Sequence, residues 1–221
     1  ASLGGGGDGG GSGGGSSSTT TPSAPTTAKV GVLLDSVVAG VSFETSSGLT
    51  GLTNSSGEFS YQTGDTVSFR LGDVELGSVT ASPVLTPVEL VGAVSTADRR
   101  VINLSRLLQS LDQDGDPTNG ISISPATRSM LAQQAFKFDI PITEFQLGVN
   151  PFIENILKRP IIPANEAINH LHGSLNSEGR PGSIGSQDDI RQLVPGFVAV
   201  TSDNVPSNQP FNPNQFNCNF A

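Results

Sequence analysis

Hydrophobic and polar positions alternate with a period of two at Val67, Ser68, Phe69, Arg70 and Leu71, as in a strand with one face buried. Similar β-branched runs fall at 30–34, 37–43, 48–53, 58–61, 66–71 and 74–79. Asn54-Ser55-Ser56-Gly57 and Gln62-Thr63-Gly64-Asp65 supply turn residues between them, so this stretch predicts a small β-sandwich. After a Pro-containing connector at 82–87 the period lengthens. Val101, Leu104, Leu108 and Leu111 share a helical stripe that Ile102 and Leu107 widen, and Ser95 or Thr96 with Asp98 caps its start. Ser124-Pro125 predicts the start of a helix over 126–135, and Asn150-Pro151 one over 152–158. Pro163 opens a last helix over 164–172, closed by Gly173. The fold class is therefore α+β, a small β-sandwich followed by a cluster of about four short helices.

The two ends of the chain lack this patterning. Residues 1–28 are a Gly-rich tract followed by Ser, Thr and Pro, with almost nothing to bury, and read as a tether or an assembly segment. Ser16, Ser17, Ser18, Thr19, Thr20 and Thr21 are candidate acceptors for O-linked glycans. Residues 176–221 are polar and rich in Gly, Pro and Asn, and read as an extended tail. Within it Phe197-Val198-Ala199-Val200 could form one strand able to add to a sheet edge. The expected divisions are thus 1–28, a sandwich at 29–93, a helical segment at 94–175 and a tail at 176–221.

Charge and cysteine content narrow the setting. A formal net charge of -9, from 11 Lys plus Arg against 20 Asp plus Glu, sets the chain against phosphate and excludes nucleic acid as the expected partner. No apolar run is long enough to cross a bilayer, so no transmembrane segment is expected. The absence of Met at position 1 reads as a processed form of a secreted protein. Cys218 is the single cysteine, which rules out an intrachain disulfide and leaves a free thiol or an intermolecular link.

Two groups of residues carry a family resemblance. Gly31-Val32-Leu33-Leu34-Asp35-Ser36, Val38-Ala39-Gly40-Val41, Thr53 to Tyr61 and Gly64 to Phe69 resemble the transthyretin-like sandwich of carboxypeptidase-regulatory and collagen-adhesin B-type modules. Val84 to Val91, Asn103 to Leu111, the acidic stretch beyond it and Asn165-Glu166-Ala167-Ile168-Asn169-His170-Leu171 are similar to a module found near the N-termini of Gram-negative surface lipoproteins and adhesin-like proteins. The resemblance spans Lys29 to about Leu175 and implies an extracellular or outer-surface location, without implying an activity. Such modules usually follow a lipidated cysteine, and none precedes Ala1 here.

The acidic stretch is the strongest chemical motif. Asp112, Asp114 and Asp116 occupy positions 1, 3 and 5 of a calcium loop, Thr118 offers a carbonyl at position 7, and Asn119 could complete the shell. Position 12 is Ile123 instead of a bidentate Glu, and Gly115 precedes the position where an EF-hand keeps its glycine. A solvated acidic turn is the competing reading. His170 and His172 stand two residues apart on a helix and point to different sides, which disfavours a metal pair. Lys29 could form an isopeptide bond only beside a buried acid, and none is recognisable. No nucleophile elbow or phosphate-cradling loop is present, so no enzymatic activity is expected. The chain reads as a secreted structural subunit whose terminal segments engage copies of itself in a surface filament or matrix. The alternative is a monomeric tethered adhesin or calcium-dependent ligand-binding module.

Overall fold

A computed structural model describes residues 27–199. The candidate glycan acceptors Ser16 to Thr21, Val200 and Cys218 lie outside the described residues. The fold is α+β. Strands β1 (Lys29–Leu33), β5 (Glu58–Tyr61) and β8 (Val84–Leu85) form a sheet of order β5-β1-β8, with β1 antiparallel to β5 and parallel to β8. Strands β3 (Ser42–Thr45), β4 (Thr50–Leu52), β6 (Thr66–Leu71) and β7 (Val74–Thr80) form an antiparallel sheet of order β4-β3-β6-β7. Strand β2 (Val38–Ala39) pairs in parallel with β9 (Ile121–Ser122). The sequence run 37–43 is divided because Gly40 takes φ +83° between β2 and β3.

The two larger sheets meet through aromatic rings. Phe59 of β5 lies 6.0 Å from Phe43 and 5.1 Å, edge-on, from Phe69, which belong to the facing sheet. The alternation expected for β6 is observed, with Val67, Phe69 and Leu71 buried. Between β6 and β7 the register shifts after Phe69, and Gly77 takes φ +151°. A Cβ on Gly77 would lie 2.1 Å from the Leu90 carbonyl oxygen, so glycine is what lets helix α1 (Pro87–Leu90) seat against β7.

Helix α2 (Arg99–Ser110) is the centre of the molecule, buried from Val101 through Ser110. Asp98 caps it by accepting from Arg100 N at 2.8 Å. Its Leu104, Leu107 and Leu108 join the sandwich core, whereas Val101 and Ile102 join a second core with Ile168, Leu171 and Leu175. The widened stripe in the sequence reflects burial on two sides. Helix α3 (Pro125–Met130) begins at the Ser124 cap as its sequence predicts.

Beyond α3 the structure departs from the sequence reading. Helix α4 (Ile142–Leu157) runs through Asn150-Pro151 instead of starting there. Pro151 is exposed, and the carbonyl it leaves without a partner belongs to the exposed Leu147, so the loss falls on the solvent side. The Asn150 side chain accepts from Ile161 N and does not cap. Helix α5 (Ala164–Ser177) continues past Gly173 because Leu175 is buried in the second core. The segment from 176 to 197 is not an extended tail. After a 3-10 turn at Pro181–Ser183, helix α6 (Gln187–Leu193) buries Ile190, and Val194 and Phe197 follow it into the same core. Phe197, Val198 and Ala199 form no strand, and Phe197 packs edge-on against His172. The described residues hold six α-helices instead of about four.

Candidate functional site

The acidic turn follows Leu111 at the end of α2, and its carboxylates fold back on their own backbone. Asp112 accepts from Gly115 N at 2.9 Å and Ser122 N at 2.8 Å. Asp114 accepts from Asp116 N at 2.9 Å and from the Asn119 side-chain amide at 3.0 Å. Asp116 accepts from Thr118 N and, at 2.5 Å, from the Thr118 hydroxyl. The bonds from the Gly115, Asp116 and Thr118 N–H groups are local Asx-type bonds that hold a tight turn, and the one from Ser122 ties it to β9. The Arg159 guanidinium lies over the loop and donates to the Asp112 and Ser110 carbonyls.

The five residues read from sequence as calcium ligands are therefore brought close, with the three carboxylates engaged by N–H and O–H donors that include the Thr118 hydroxyl and the Asn119 amide. Burial raises the carboxyl pKa of Asp112, and its shared hydrogen bond with Asp114 lowers the Asp114 pKa to about 2. Among the described residues no group of three or more His, Cys, Asp or Glu side chains is placed to hold a metal ion. A calcium ion at this turn would have to displace backbone N–H donors from the carboxylates. Asp112→Ala should therefore cost about 1–3 kcal/mol whether calcium or a chelator is present, because the N–H groups of Gly115 and Ser122 lose the buried carboxylate that holds the turn. Chemical unfolding in both conditions measures this. If the parent chain melts at the same temperature in calcium and in chelator, the turn is structural and the calcium reading falls.

From the acidic turn the chain enters β9, whose pairing with β2 brings it beside the β1–β2 turn. That turn holds two residues the sequence reasoning passed over. Asp35 is 0% exposed, and both of its oxygens face the Gln109 side-chain amide of α2, at 3.0 and 3.1 Å. Burial raises its carboxyl to about 7, with Gln109 and the Ser105 hydroxyl only partly offsetting the shift. Gln109 also donates to the Ala167 carbonyl at 3.0 Å, so one amide ties the β1–β2 turn, α2 and α5 together.

Ser36, the next residue, has φ +56°, a left-handed conformation uncommon outside glycine and asparagine. Its hydroxyl meets His170 Nε2 at 2.9 Å, and its backbone N–H donates to the Ser174 hydroxyl at 2.9 Å. Burial lowers the pKa of His170, opposed by its hydrogen bond to the Asp35 backbone and the charge of Asp116, so the ring is neutral at pH 7. His172 points elsewhere, to Thr96 at 2.7 Å, and burial pushes it down to about 4. The two histidines thus face different partners, as their spacing predicts. The sequence signal for this site was an acid inside an apolar strand run, Leu33-Leu34-Asp35-Ser36-Val37-Val38.

A second feature lies on the outer face of the four-stranded sheet. A cleft of about 550 Å³ is lined by Ser42, Glu44, Thr50, Ser68, Arg70 and Glu75, among others. Ser68 and Ser78 hydrogen-bond across the strands at 2.9 Å, and Arg70 pairs with Glu75 at 3.2 Å. Such a surface presents hydroxyls and both signs of charge to a polar ligand.

No family model, curated protein or solved structure matches this chain. Its molecular class therefore rests on the fold, an α+β body in which a sandwich and a helical cluster share one central helix. No helix of the described residues is long and apolar enough to cross a membrane.

Proposed function

We propose that the chain is a secreted structural subunit of a Gram-negative cell surface, assembled with copies of itself into a filament or matrix. The observation that carries this reading is the outer edge of β4. Thr50, Gly51 and Leu52 are all exposed and pair only with β3 among the described residues, and Leu52 is 48% exposed. No lysine or proline guards that edge, and its free backbone groups suit an added strand. A terminal segment of one copy added to β4 of the next makes a head-to-tail contact that does not close, and such contacts propagate as fibres. At three residues the edge is a short grip, which favours a supplied segment over direct edge-to-edge pairing. O-linked glycans on Ser16 to Thr21 are part of the same proposal.

The test compares the full chain with forms lacking residues 1–26 or residues 200–221, by negative-stain imaging and light scattering. Fibres from the full chain, lost in at least one truncation, are expected. Monodisperse monomers from all three would end the assembly reading. They would leave the second reading, a tethered ligand-binding module that uses the polar cleft on the sheet face, with calcium at the acidic turn as its accessory.

A further inference from the structure

We propose that Ser36 is a nucleophilic serine, activated by His170, that takes acyl groups from carboxylic esters. This activity goes beyond assembly and does not depend on it. Two independent features converge on the one hydroxyl. The first is the 2.9 Å contact between Ser36 Oγ and His170 Nε2, the reach a general base needs. The second is the backbone of Ser36 itself. A left-handed φ of +56° at a serine costs energy that its neighbours must sustain, and such strain clusters at sites that use it. Burial of the His170 ring, which lowers its pKa, is consistent with its role as that base. The neutral ring is the state that accepts a proton.

The step balances without a further reagent. As Ser36 Oγ bonds to the ester carbonyl carbon, its proton passes to His170 Nε2. The carbon–oxygen bond to the alcohol portion then breaks, and that oxygen leaves with the proton from His170. Water, deprotonated by the same nitrogen, attacks the acyl-serine and restores the hydroxyl, so ester plus water gives acid plus alcohol. The Ser36 N–H, now donated to the Ser174 hydroxyl, is the donor that the oxyanion would take over.

The folded full chain is treated with diisopropyl fluorophosphate and, separately, with p-nitrophenyl acetate. The expected result is one phosphoryl adduct on the peptide bearing Ser36, slowed about 100-fold or more by His170→Gln and absent in Ser36→Gly. Glycine suits the left-handed backbone, so the Ser36→Gly chain keeps its fold while losing the hydroxyl. Ester turnover should follow the same order. An adduct distributed over several serines, or one on Ser36 that forms as fast in urea as in the folded chain, would overturn the proposal. So would an unchanged labelling rate in a folded His170→Gln chain. If that variant does not fold, the location of the adduct and its loss in urea decide the matter.

Discussion

Asp35→Asn is expected to stabilise the protein above pH 7 by a few kcal/mol and to leave it nearly unchanged near pH 3. Asp35 is fully buried, faces only neutral donors, and has its carboxyl raised from the ordinary 3.8 to about 7. The native state therefore binds the proton more tightly than the unfolded chain does. Its contribution to stability is fully present below pH 3.8, is lost as pH rises towards 7, and stays lost above that. A shift of this size corresponds to a few kcal/mol at about 1.4 kcal/mol per pH unit. The introduced amide offers its oxygen to Gln109 and leaves no charge to bury. His172 acts in the opposite sense. Its depressed value near 4 makes stability fall as pH drops from 6.5 to 4, and the Asp35→Asn chain should show that acid slope undisguised. Urea unfolding from pH 3 to 9 gives both curves. If parent and variant have parallel pH profiles, Asp35 is not the titrating group.

Arg106→Met is the other substitution with a large expected effect, a loss of about 2–4 kcal/mol measured by the same unfolding. Arg106 is 0% exposed, and no carboxylate among the described residues pairs with it. Its guanidinium instead donates to Ile162 O at 2.8 Å, Ile142 O at 3.3 Å and Gln146 Oε1 at 2.9 Å. Burial lowers its pKa to about 10, so it remains charged at neutral pH. Two effects compete. Methionine fills similar space and removes the cost of burying an unneutralised charge, but strands acceptors on α4 and on the loop before α5. Three charge-assisted bonds outweigh the desolvation relief, so the net effect is a loss. A variant as stable as the parent would show that desolvation dominates.

What could be read from the sequence followed from how local the cause was. Strands β5 and β6 appear at their expected bounds because period-two burial and the intervening turns are written in adjacent residues. The start of α3 was legible through Ser124-Pro125, and that of α2 in part: Asp98 is the cap, whereas Thr96, offered beside Ser95 as the capping residue, bonds His172 and Gly185 instead. Asn150-Pro151 misled because proline at the first helical position and proline on an exposed helix face look alike in sequence. Ile190, Val194 and Phe197 passed for stray apolar groups, since the surface they cover belongs to α5 and α2. The acidic turn was recognisable as a turn, but not the use of its carboxylates as backbone acceptors. The Asp35–Gln109 and Ser36–His170 contacts were beyond reach, with partners 74 and 134 residues apart.

That separation also sets the order in which the molecule can become complete. The Ser36 N–H to Ser174 bond spans 138 residues, and β1 sits between β5 and β8, whose residues all arrive later in the chain. Loop closure over such distances is slow, so the first turn stays unsecured until α5 has emerged. A nascent chain stopped before residue 164 holds the sandwich strands but not the element that locks Ser36 and Asp35 in place. In such a chain the first turn is still open at its far partner, and it closes only when almost all of the described body is present.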